Sequence, residues 1–150
     1  MSLVTALTLV LSADPSLLLL QMGQEAEVKC TIALNTAQMM KTVKPEQALS
    51  EAAKTTEAAA VRDELDAHLT SDAELGPRHK AEIARFRDRL TDCIRDAELL
   101  KLEVLRAGAS KSPEARKQAV AAHEAYLVRY AGHRTVKAVQ GWLKDLTAAP

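Results

Sequence analysis

Aromatic side chains are scarce in this sequence: one Trp, two Tyr and one Phe, 3% of 150 residues. A core with so few rings must be built from Leu, Ala and Val, which suits packed helices. Cysteine is rarer still. Cys30 and Cys93 lie far apart and neither has a second thiol nearby, which excludes a small disulfide scaffold and a C-x-x-C redox or zinc motif. Both are expected to be small buried hydrophobes, with Cys93 inert. The five glycines, Gly23, Gly76, Gly108, Gly132 and Gly141, are too dispersed for a phosphate-binding loop or a dinucleotide fingerprint. Net charge is absent as well: twenty basic and twenty acidic side chains cancel, so charge selects neither nucleic acid nor a membrane surface as partner.

No apolar run is long enough to span a bilayer. Residues 3–22 hold a single charge, Asp14, but Asp14-Pro15 divides them into pieces of about ten and seven residues, where about twenty are needed. No Lys or Arg precedes the run, and Leu11 is large where a cleavage site before Asp14 needs a small residue, so a signal peptide is not expected. The segment is expected to be buried in protein, without membrane insertion, and the chain to be cytoplasmic or inside an assembled particle.

What remains is a globular composition, 47% apolar and 27% charged. One domain over 1–150 is expected, burying roughly 70% of the surface of the unfolded chain. The two halves differ in charge. Residues 1–75 carry five basic groups against eleven acidic ones, a balance of −6, and residues 76–150 carry +6. Such an asymmetry can serve self-association or an anionic partner.

Over residues 25–35 every even position is apolar or small, a period of two, and Val28, Thr31 and Ile32 are β-branched. The expectation is a half-buried strand with Val28, Ile32 and Leu34 on its inner face. Residues 3–11 are also rich in strand formers. Asp14-Pro15-Ser16 and Gly23 would then punctuate a small antiparallel β element within 3–34. The competing reading makes Asp14 a helix cap with Pro15 at the first helical position.

From residue 45 to 147 the signals are helical. Pro45-Glu46 opens an alanine-rich helix to about residue 69. Gly76-Pro77 is a stop followed by a start, and residues 77–107 run without Gly or Pro to Gly108, which is placed for a left-handed cap. Ser112-Pro113-Glu114 opens a helix to about residue 131, Gly132 ends it, and a last helix covers about 134–146. In the long segment Ile83, Phe86, Leu90, Cys93, Ala97, Leu100 and Val104 alternate steps of 3 and 4, a heptad seam on a rod of roughly 45 Å. Its partner is either the 46–69 helix, packed antiparallel, or another subunit. The fold expected is mainly α, a helical hairpin or bundle around the 77–107 helix plus the N-terminal β element.

Chemistry finds no foothold in this pattern. The residues three before His68, His79, His123 and His133 are Leu65, Gly76, Val120 and Tyr130, so none makes a Glu-x-x-His metal motif. His123-Glu124 is followed by Leu127 where a zinc protease needs its second His. No G-x-S-x-G or cysteine-protease context is present. The carboxylates Asp63, Glu64 and Asp66 beside Arg62 have the pattern of a solvated helix face. No enzyme, metal or cofactor is expected.

Elimination, the heptad rod, the charge asymmetry and the apolar N-terminus together favour a structural or adaptor protein. It would act by self-association, or within a larger complex such as a phage particle, a secretion machine or a protein shell. Val28, Ile32, Leu34, Ile83, Phe86, Leu90, Leu100 and Val104 are its expected interface residues. The alternative is a nucleic-acid-binding helical protein using Arg78, Arg85, Arg89, Arg116 and Lys117 on phosphates. Against it, Arg78, Arg85 and Arg89 run on into Asp92 and Asp96, and few aromatics interleave.

Overall fold

A computed structural model of the chain describes residues 15–71 and 75–148. Among these residues the regular structure is helical: α1 (Pro15–Met40), α2 (Pro45–Ala53), α3 (Thr56–Ser71), α4 (Pro77–Ala107), a 3₁₀ turn (Ala109–Lys111), α5 (Pro113–Arg129) and α6 (Val136–Thr147). The proline starts behave as proline at N1 should, since its missing N–H costs nothing there. At α5 the Ser112 hydroxyl also accepts from the Ala115 N–H at 3.0 Å.

Residues 15–34 are not strands, and this corrects the expected β element; its portion over 3–14 lies outside the described residues. α1 buries Ser16, Leu19, Gly23, Ala26, Cys30, Ala33 and Ala37, alternating steps of 3 and 4. The period-two pattern over 25–35 is thereby broken up. Ala26, Cys30 and Ala33 turn inward, whereas Val28 and Ile32 are 53% and 61% exposed. Tertiary packing of the small stripe outweighs the weak strand preference of three β-branched residues.

The described residues divide into two compact units, residues 15–33 with 54–71 and 75–94, and residues 34–53 with 95–148. In the first unit α1 and α4 run parallel at a fixed offset. Ser16 Oγ meets His79 Nδ1 at 2.8 Å, Glu27 meets Arg89 at 3.1 Å and Cys30 is disulfide-bonded to Cys93, pairs separated by 62 or 63 residues. Gly23 faces Phe86 at the same offset, and a Cβ on Gly23 would lie 2.9 Å from the Phe86 Cβ. Here glycine is required by close approach and does not punctuate the helix. Parallel neighbours need a return path, which α3 supplies by running antiparallel to both. Leu65 packs near Gly23, and Asp66 accepts from Arg87 at 3.0 Å.

In the second unit, α4 from Arg95 onward presents two apolar faces. Ala97, Leu100 and Val104 pack with Ala37, Ala48 and Ala52, whose small side chains let α1, α2 and α4 approach closely. Leu99 and Leu102 pack with Tyr126 of α5, Tyr130 just after its end, and Val139 and Trp142 of α6. Leu105 joins Ala109, Ala119 and Leu146. Two local expectations need correction. The single 46–69 helix is broken at Lys54-Thr55, where Thr55 is buried and its carbonyl accepts from the Ala58 N–H. Gly108 is right-handed, φ −91°, and leads into the 3₁₀ turn, whereas the left-handed glycine is Gly132, φ 88°.

Candidate interaction surfaces

Ile83, Leu90, Leu100 and Val104 are buried within this chain, and Phe86 is half-buried against Gly23. Leu34 is half-buried beside Ala37 and Ala48. The heptad seam of α4 is thus occupied internally, by α1 and α3 in the first unit and by α1 and α2 in the second. Val28 and Ile32, expected on a buried strand face, stand on the outside of α1. In the same unit, Leu17 and Leu18 are also about half exposed. All four side chains lie on the side of α1 away from its small, buried stripe.

Cys30 and Cys93 are buried as expected, but their pairing corrects the reading of two separate small hydrophobes with Cys93 an inert thiol. They are joined, with Cα atoms 6.4 Å apart, and both are buried. The signal was in the sequence. Cys93 stands in the α4 seam, and Leu19, Ala26, Cys30, Ala33 and Ala37 give α1 a seam of the same period, so two helices packed seam to seam can bring the cysteines together. Beside Cys30 a shallow pocket of about 150 Å³ is lined by Met22, Glu25, Lys29, Lys54, Glu57 and Val61. Its lysines and glutamates balance in charge. Among the described residues no group of three or more His, Cys, Asp or Glu is gathered in a metal-binding arrangement.

Much of the basic charge is engaged by carboxylates. Arg89 pairs with Glu27, Arg87 with Asp66 and Asp88, and Arg78 with Glu82 at 3.8 Å. Arg85 is exposed, with its guanidinium 5.8 Å from the Phe86 ring centre. Arg116 and Lys117 are exposed near the start of α5. In the second unit Arg129 pairs with Glu98, which holds the guanidinium pKa above its ordinary value. Burial, together with the Glu98 carboxylate, pushes the neighbouring Tyr130 phenol up to about 12.

One polar residue in the second unit was missed by sequence reasoning. His123 is fully buried on α5, edge-on to Trp142 of α6 with ring centres 6.3 Å apart. Its motif neighbourhood suggested only a failed metal site, and burial of a histidine at this position has no signal in the sequence beyond the spacing Ala119, His123, Tyr126.

No described helix is long and apolar enough to cross a membrane. Compared with known protein families, curated proteins and solved structures, the chain matches none of them.

Proposed function

We propose that this chain is a non-enzymatic structural protein of a larger assembly, and that it works by self-association through the outer face of α1. The observation that carries the reading is the contrast on that helix. Its small residues are spent on internal packing, while Leu17, Leu18, Val28 and Ile32 remain exposed. Burying two such side chains at an interface is worth about 3–6 kcal/mol before the cost of association. A disulfide of this kind is rare in a reducing cytosol. That favours an assembled particle, or a compartment outside the cytosol, over the cytoplasm as the place of residence.

The test is light scattering during size-exclusion chromatography of the wild type and of a Val28→Asp/Ile32→Asp variant. Both positions are solvent-facing, so the variant is expected to fold with unchanged circular dichroism. The wild type should elute as a discrete oligomer and the variant as a monomer of 16.3 kDa. Other subunits covering the same face, the adaptor form of the reading, would appear as a wild-type monomer that binds a foreign assembly protein and loses it in the variant. Nucleic acid at the basic residues Arg78, Arg85, Arg89, Arg116 and Lys117 would appear as excess absorbance at 260 nm in the purified wild type.

A further inference from the structure

A fully buried histidine whose polar atoms are not all satisfied needs an explanation. The His123 Nδ1 lies 2.6 Å from the Ala119 carbonyl oxygen, which can only accept, so Nδ1 carries the proton and Nε2 is left with a lone pair. That Nε2 has no hydrogen-bond partner among the described residues. Among the described residues, the Ala119 carbonyl is the group that favours a second proton on the ring, and no carboxylate acts on it. α6 presents the uncharged indole of Trp142, and α5 itself the Ala119 carbonyl. From α4 the group that acts on the ring is a cation, Arg106, whose guanidinium sits 4.4 Å from the centre of the Trp142 ring.

We propose that His123 is an acid-sensitive latch: a proton arriving at Nε2 releases α6 from α5. Protonation would place an N–H without an acceptor and a charge without a counter-ion in a dry contact, beside an existing cation. Opening of α6 lets water reach the ring and relieves both. Burial first, and then Arg106, hold the imidazole pKa below its ordinary value, against the opposing Ala119 hydrogen bond. The sign follows. A histidine with a lowered pKa in the closed state supports that state fully above about pH 6.5, and the support declines as the pH falls below that value. Because the open form takes the proton more readily than the closed form, the opening constant rises as the pH falls below about 6.5. The released face of α6 carries Val139, Trp142 and Leu146, so acid makes an apolar helix face available for binding.

Amide hydrogen exchange of the full-length, disulfide-intact protein between pH 7.5 and 5.0 tests this, with rates corrected for intrinsic chemistry. Protection of residues 136–147 is expected to fall progressively as the pH drops below about 6.5. In a His123→Gln variant it should be flat, and in a His133→Gln control the fall should persist. Unchanged protection in the wild type, a fall retained in His123→Gln, or an equal fall across α2 would overturn the latch. Should His123→Gln not fold at pH 7.5, titration of the ring protons of His123 by NMR decides. A midpoint below 6.5 is expected, and titration at or above 6.5 with α6 still protected contradicts the proposal.

Discussion

Reduction of the Cys30–Cys93 disulfide is the most quantitative perturbation this fold offers. The bond joins α1 to α4 across a sequence separation of 63 residues. In the chain-entropy treatment, closing a loop of that length restricts the unfolded chain by about 14 cal/mol/K, or about 4 kcal/mol at 25 °C. A protein of this size has roughly 5–15 kcal/mol of stability in all, so the bond is a large part of it. The native helices also meet through Gly23 against Phe86, Glu27 with Arg89 and Ser16 with His79, and those contacts survive reduction. The reduced protein is therefore expected to stay helical but weaker. The assay is equilibrium urea unfolding of the native protein and of a Cys30→Ala/Cys93→Ala variant, followed by circular dichroism. The variant should lose about 4 kcal/mol and unfold with a steeper denaturant dependence, because its unfolded chain is more extended. Equal stability, or quantitative alkylation of both cysteines in the folded protein without reductant, would refute the reasoning.

Three further outcomes follow from packing and charge. Gly23→Ala should destabilise by about 1 kcal/mol, since a Cβ 2.9 Å from the Phe86 Cβ costs more than helix propensity returns, whereas Gly141→Ala, with no heavy atom within 4 Å, should stabilise by about 0.5–1 kcal/mol. Thermal and urea unfolding of the pair checks the opposite signs. Leu90→Asp should cost more than about 3 kcal/mol, measured the same way, because Leu90 is fully buried and its replacement is a charge. Alkaline absorbance titration should show Tyr130 ionising at about 12 and moving toward 10 in Glu98→Gln, since after burial the Glu98 charge and hydrogen bond contribute most to raising it; no movement would mean that Glu98 has no part in the shift.

The helical half of the sequence was legible because its signals are local. Proline with an acidic neighbour at 45 and 113, Gly76-Pro77, and a heptad repeat through α4 each specify a start, a stop or a face without reference to the rest of the chain. α1 was misread because residues 25–35 satisfy two periods at once. The alternation of Ala26, Val28, Cys30, Ile32 and Leu34 is genuine, but the long-range partners Phe86 and Leu65 select the helical stripe through Gly23, Ala26 and Cys30. The second apolar face of α4, Leu99, Leu102 and Leu105, lay in the sequence behind the more regular seam. Its role depends on α5 and α6, which need a surface to bury against. His123 illustrates the opposite limit, since nothing local distinguishes a buried imidazole from an exposed one.

Whether the outer face of α1 joins copies of this chain is tested most directly by light scattering of the oxidised wild type over a hundredfold range of concentration. Self-association predicts a discrete mass that is a multiple of 16.3 kDa and that falls to the monomer in Val28→Asp/Ile32→Asp. A monomer throughout the range, or an oligomer indifferent to both substitutions, contradicts it.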